Sequence, residues 1–479
     1  MNFKRTWIVL AGLPLLVSAC TLKQSDDQET GGTAGQAGTG NGGSGNTGGT
    51  ATGGSSNGGT AGGSQGGTAG QGGSAGQGGG GAGGSGGSPP GAGWQKMPLL
   101  DDPNDNQYHE GIDRVSGISC ESTEACVVIT DNTQAGGLIY AASNQAVTSI
   151  LMSGKVAADE RLSFFGFSKT ASGRLIARND RAKRVFSASS DYTNPNSWTR
   201  VDVGTNPDLN FDNLNGQEAF GEAPDGTWRY LYQGVLYGAD AAPSPTTAWT
   251  GLWSPGRIPP FPANYKDLKD ADDTICRSFP GGFVLPHPSS TMYMSDDLSL
   301  MMYPASAMNA KGDIDFDPPG VCVSTDRGAT FRVVAFPGNT NELGPIGLTC
   351  GDADHCWAYN GLRSSADSHW IYYTTNASQG MSMTWTRGAL PATLLSERTE
   401  IREVFFAPDN VHGWAVGAHD SVTMLLRTLD GGASWTDISE SVRALADDAK
   451  LSSGFALDAQ NIWLGGERGF LASNGRGGL

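Results

Sequence analysis

The sequence predicts an all-β fold, a β-propeller of seven four-stranded blades closed by pairing of its N- and C-terminal strands. Three observations predict it. Similar segments recur at roughly the 40 to 50 residue pitch of propeller blades. Each consists of short apolar runs separated by polar turns. The final copy stops where its closing strand is due, while Trp94, Gln95 and Lys96 stand at the start of the folded part, ready to supply it.

The chain opens with a targeting pattern over residues 1–20. Lys4 and Arg5 precede an apolar run from Trp7 to Val17, which is short for a membrane span and ends in Val17-Ser18-Ala19-Cys20. This resembles the lipobox of bacterial lipoproteins, and the resemblance implies a diacylglyceryl group on the Cys20 sulfur, cleavage before that residue, and a membrane partner reached through lipid. Thr21 stands where an aspartate resembles an inner-membrane retention signal, so the expected location is the outer membrane, facing the periplasm or the cell surface.

Residues 21–93 read as a tether. Gly31 to Gly93 hold neither a charged nor an aromatic residue, leaving nothing to bury against the entropy of ordering. As a flexible coil, this stretch would span roughly 40 to 50 Å. Gly72-Gly73-Ser74-Ala75-Gly76 spells a nucleophile-elbow pattern, but it lies between no strand and helix and carries no mechanism.

Residues 94–479 hold the repeats. The fullest copy runs from Val404 to Gly417, continues through Met424 to Arg427, and ends in Thr428-Leu429-Asp430-Gly431-Gly432-Ala433-Ser434-Trp435. Ser324-Thr325-Asp326-Arg327-Gly328-Ala329-Thr330-Phe331 has the same S/T-x-D-x-G-x-S/T-aromatic form. An aspartate here can accept turn N–H groups, a glycine supplies positive φ, and the aromatic starts the next strand in the core. Both segments resemble the Asp-box, or BNR repeat, of the superfamily that holds sialidases, sortilin-type receptors and photosystem II assembly factors. The resemblance implies a propeller in which Ser324, Asp326, Gly328, Thr330 and Phe331, with Thr428, Asp430, Gly432, Ser434 and Trp435, act as fold staples. Weaker copies span Gly117 to Ser143, Leu162 to Trp198, Gln217 to Trp249, Ile275 to Phe331 with an insertion, Ile346 to Trp385, and Leu451 to Ser473. Trp198, Trp249, Trp385, Trp414, Trp435 and Trp463 fall at equivalent positions and are expected in the core.

Beyond Cys20, six cysteines remain, an even number suited to disulfides in an oxidising compartment. Cys120 and Cys126, and Cys350 and Cys356, flank similar inter-strand turns, which leaves Cys276 and Cys322 for each other. Zinc is disfavoured, since no C-x-x-C occurs and the histidines are scattered. Asp313, Asp315 and Asp317, like Asp270, Asp272 and Asp273, read as solvated acidic loops that lack the pattern of a calcium loop. No metal and no cofactor is therefore expected. The formal charge of −17 argues against nucleic acid as a partner.

A sialidase-like glycosidase would need three arginines on a substrate carboxylate, a tyrosine nucleophile with a glutamate, and an acid. Gly256-Arg257-Ile258-Pro259 only partly matches the family motif. Glu397 to Glu403 reads as an exposed loop or the start of a strand. No catalytic residue is assigned, and the expected function is a lipid-anchored, non-enzymatic binding or assembly module for a protein or glycan. The glycosidase is the alternative.

Overall fold

The computed structural model describes residues 93–99, 114–131, 138–151, 164–179, 184–188, 191–202, 219–232, 235–253 other than 245, 276–277, 292–307, 320–338, 345–360, 369–394, and 398–474 other than 448. Cys20, the tether, Gly256 to Pro259, and the two aspartate groups at 270–273 and 313–317 lie outside the described residues.

The strands form seven antiparallel sheets in sequence order, the blades of a propeller. Their first strands are Arg114–Ser122, Phe164–Lys169, Ala219–Glu222, Tyr293–Met294, Gly347–Cys350, Thr399–Phe406 and Leu451–Ala456. Each first strand contacts the first strands of the blades before and after it, and the seventh contacts the first, so these strands line the axis. Blade 7 holds Leu451–Ala456, Ile462–Gly466 and Leu471–Asn474, and its fourth strand is Gln95–Lys96, pairing Gln95 with Ser473 and Lys96 with Ala472. The chain's two ends thus share one sheet, and the short Gln95–Lys96 strand covers the edge that Leu471–Asn474 would otherwise present.

Blade 4 departs from four strands. Cys276–Arg277 and Tyr293–Met294 both pair with Met301–Ala307, at its two ends, because that seven-residue strand is long enough for two short partners and the insertion contributes one of them.

The core lies between blades. In the second strand of blade 6, Trp414 and Val416 pack with Leu451, Ile462 and Leu464 of blade 7, while Ala415 packs with Trp357, Tyr359 and Ile371 of blade 5. Both faces of the strand are covered, which explains why middle strands read as unbroken apolar runs. The six tryptophans assigned to the core are all buried. Each such side chain contributes on the order of 2–3 kcal/mol through burial.

First strands carry a shared irregularity. The register shifts between Val115 and Gly117, Phe164 and Gly166, Ile401 and Glu403, and Leu451 and Ser453, one extra residue in each of blades 1, 2, 6 and 7. The extra residue links neighbours. Ser452 Oγ donates to the Val115 carbonyl at 2.7 Å, Ser116 Oγ donates to the Phe164 carbonyl at 2.5 Å, and Arg402 reaches Glu467 of blade 7 at 2.9 Å. The segment read as an exposed loop or strand entrance is mostly interior. Thr399–Phe406 is the axial strand of blade 6, and Ile401 and Arg402 are buried because neighbouring blades close over them.

Candidate functional site

Antiparallel pairing puts the turns between first and second strands at the same end as those between third and fourth. They touch there: Gly431 N–H donates to the Val411 carbonyl, and Ala377 N–H to that of Asp354, both at 3.0 Å. This end holds the two S/T-x-D-x-G segments, in blades 4 and 6. Ser324 Oγ donates to Asp326 Oδ1 at 2.7 Å, and Thr330 donates its N–H to Oδ1 at 2.9 Å and its hydroxyl to Oδ2 at 2.6 Å. Thr428, Asp430 and Ser434 repeat these bonds at the same three distances. Gly328 and Gly432 have φ of 87° and 96°, and each donates its N–H back to the first hydroxyl at 2.9 Å. A Cβ on Gly328 would meet Leu236 at 2.2 Å, so both backbone angle and space require glycine there. Phe331 and Trp435 then enter the core. Burial alone would raise both aspartates. The bonds from Thr330 and Ser324, and from Ser434 and Thr428, outweigh it and hold both below the ordinary value.

A third turn of this kind escapes the sequence pattern. In blade 5, Asn376 Oδ1 accepts the Thr374 hydroxyl and the Thr384 N–H, both at 2.9 Å, with Gly380 at φ 58° and Trp385 buried. Asparagine replaces aspartate and the turn is longer by four residues, which hides it from a motif of constant spacing. The first-to-second-strand turns of blades 5, 6 and 7 repeat a D-x-x-H/N device. Asp352, Asp409 and Asp458 accept the N–H of His355, His412 and Asn461 at 2.8, 3.0 and 2.8 Å, and the side chain of the same residue closes each loop.

Two disulfides lie here as well, Cys120 with Cys126 and Cys350 with Cys356, each joining directly opposed residues of a first and second strand. Cys322 is also disulfide-bonded, and its partner sulfur lies outside the described side chains.

The opposite end carries charge. Arg114 pairs with Asp131, and Arg402 donates to Glu400 and Glu467, both at 2.9 Å. Burial draws the Arg114 guanidinium below its ordinary value and nearby Arg402 adds to this, while Asp131 opposes it. The Arg402–Glu467 pair ties blade 6 to blade 7, while Arg114 and Asp131 join the first two strands of blade 1.

Between the ends lies an axial cavity of about 290 Å³, bounded by the first strands of blades 1, 2, 5, 6 and 7. Its ionisable side chains, among the described residues, are Glu403 of blade 6 and Arg178 of blade 2. Glu403 Oε2 accepts the Gly454 N–H at 2.9 Å. Protein surrounds the carboxyl, although the cavity keeps it partly wetted, and desolvation pushes it up to about 8 against the smaller opposing pull of that N–H and of Arg178. Glu403 and Arg178 were not selected from sequence. The usable signal is the charged residue after the bulge, where blades 1 and 2 have Gly117 and Gly166. Among the described residues no cluster of His, Cys, Asp and Glu could hold a metal ion.

No protein-family model matches the chain, and no curated protein matches it in sequence. Solved structures do. YCF48 from Cyanidioschyzon merolae superposes with a TM-score of 0.50 at 13% identity, covering 80% of this chain and 98% of its own. YCF48 bound to D1 peptide gives 0.46 at 11%, covering 80% and 96%. The GH74 xyloglucanase from Xanthomonas campestris gives 0.48 at 14%, covering 80% of this chain but 53% of the enzyme. At these identities the first likeness speaks for fold alone: this chain shares the β-propeller fold, here with seven blades.

Proposed function

We propose that this chain is an exported lipoprotein anchored through Cys20, whose propeller is a non-enzymatic binding or assembly module for a protein or glycan at the outer membrane. Its S/T-x-D-x-G turns are read as Asp-boxes that brace the blades. The N-terminal basic and apolar runs before Cys20 and the long glycine-rich tether support the anchoring. The observation that carries the binding reading is the lining of the axial cavity. Among the described residues it holds one carboxyl, facing an arginine, whereas most glycosidases need two carboxyls across the scissile bond. The turn aspartates and the Arg114 and Arg402 network already have internal partners.

Cross-linking on intact cells that make the full chain tests the module. The expected result is a reproducible partner that is lost when excess soluble propeller competes. Turnover of fluorogenic glycosides, sialosides included, above a heat-killed control would replace this reading with the glycosidase. Metabolic labelling with an alkyne fatty acid tests the anchor: the label should be present in the wild type and absent from Cys20→Ser.

A further inference from the structure

The seam of blade 7 leaves idle a set of buried polar atoms whose counterparts in blades 5 and 6 are all bonded. The third strand of blade 7 ends at Asn474 and its fourth follows Trp94, and the register sets these two residues where blade 6 has Thr428 and Trp435: Ser473 pairs with Gln95 as Arg427 pairs with Thr436. In blade 6 the Thr428 hydroxyl accepts the Gly432 N–H at 2.9 Å and donates to Asp430 at 2.7 Å, and Trp435 Nε1 donates to the Gly432 carbonyl at 3.2 Å. From the second strand of blade 5, Trp357 Nε1 donates to the Gly431 carbonyl at 2.8 Å. At the seam, among the described residues, nothing bonds Asn474 Oδ1 or Nδ2, Trp94 Nε1, or Nε1 of Trp414, which holds in blade 6 the place that Trp357 holds in blade 5. Trp370, Trp385 and Trp463 also have unbonded indoles, so the decisive group is the amide. Asn474 is fully buried with both polar atoms idle, a costly state unless something meets them.

We propose that Gly475 to Gly478 fold back over the seam and complete this turn. Gly477 and Gly478 follow Asn474 at the spacing at which Gly431 and Gly432 follow Thr428. Asn474 Oδ1 then accepts the Gly478 N–H, Trp94 donates to the Gly478 carbonyl, and Trp414 donates to that of Gly477. Arg476 stands in the place of Asp430 and cannot accept a hydrogen bond. The amide answers this change, since Nδ2 donates to a backbone carbonyl of the segment where a threonine would need the carboxylate. Glycine is required at 478 for the reason it is at Gly432, where φ is 96° and a Cβ would stand 2.8 Å from the Trp357 indole. The same groups would fit the segment of a second copy, but direct continuity with Asn474 gives the chain's own residues the higher effective concentration. Trp94 follows directly on residues 21–93, so this turn fastens the ring where the tether joins it.

Thermal melts of the full chain and of a chain ending at Asn474, each with and without Asn474→Leu, test the assignment. Deletion strips the amide of its partners and should lower the melting temperature by roughly 3 °C. Leucine keeps the size of asparagine without its polar atoms. It should therefore lower the melt of the full chain, by losing the segment's bonds, and raise that of the shortened chain, by removing an idle buried amide. Gly478→Val should melt like the deletion. An unchanged melt after deletion, a rise with Asn474→Leu in the full chain, or wild-type behaviour of Gly478→Val each overturns the proposal. Should the shortened chain fail to fold, hydrogen exchange of the wild type still decides: the amides of Gly475 to Gly478 should be protected, and exchange at the rate of an unfolded chain overturns the assignment. In sedimentation the full and shortened chains should share one oligomeric state. Oligomers that vanish with the segment would place it on a second copy and overturn docking on its own ring.

Discussion

The carboxyls of the turn end and the carboxyl at the axis are opposites. Asp326 and Asp430 each accept a backbone N–H and two hydroxyls from residues within four positions in the chain, and they titrate below their ordinary value. Glu403 accepts one N–H from a residue 51 positions away and titrates far above its own. The difference is one of solvation. A turn aspartate exchanges water for donors that its own turn provides. The axial glutamate has lost water without gaining enough donors, so it keeps its proton. Carboxyls of the first kind hold a fold through their charge, whereas one of the second kind is kept neutral by its surroundings.

The strongest way to break this comparison is Asp430→Ala. It removes three hydrogen bonds to a carboxylate and should cost about 3 kcal/mol in urea unfolding, with Asp430→Asn costing roughly half. A loss below about 0.5 kcal/mol would mean that the turn is held by its glycines alone. Acid should act in the same direction. A carboxyl depressed in the folded state contributes stability that is present above its unfolded value, about 3.9, and lost as pH falls through the folded one. The wild type should therefore lose its advantage over Asp430→Asn below about pH 4.

Next in size are the cystines. Replacing Cys350 and Cys356 by Ala opens a small loop at the same end and should cost about 2 kcal/mol by loop entropy, read as a lower urea midpoint. A change in the slope rather than the midpoint would mean that the compactness of the unfolded chain, and not its loop entropy alone, had changed.

At the axis an effect of the opposite sign is expected. Glu403 is raised in the folded state, so folding takes up a proton between its unfolded value and about 8, and its contribution declines as pH rises through that window. Glu403→Gln should melt about 3 °C higher than wild type near pH 8.5, with the gain vanishing toward pH 5. A gain that does not change with pH would show that Glu403 is ionised throughout and belongs with the turn carboxyls.

How much was legible follows the same division. The Asp326 and Asp430 segments stand out in the sequence because all their bonds close within one turn, so residue type and spacing carry the whole geometry. Asn376 was missed although it makes two corresponding bonds, since a longer turn breaks the spacing without breaking the contacts. The segment around Glu400 to Glu403 reads as an exposed edge because alternating charges ordinarily face water. Its burial depends on blades 5 and 7 closing over it and on the Glu467 partner beyond the next blade's second strand.

By itself, the sequence determined the all-β class, the sevenfold repetition, the burial of the repeat tryptophans and the strand that closes the ring. Each follows from local periodicity, or from a gap in one repeat that another stretch of chain can fill. Only the tertiary structure decided that the axis holds a cavity, that Glu403 and Arg178 share its wall, and that Arg402 pairs with Glu467 of the neighbouring blade. Those facts depend on side chains from blades far apart in sequence meeting where little water follows, and desolvation of that kind leaves no mark on the order of residues.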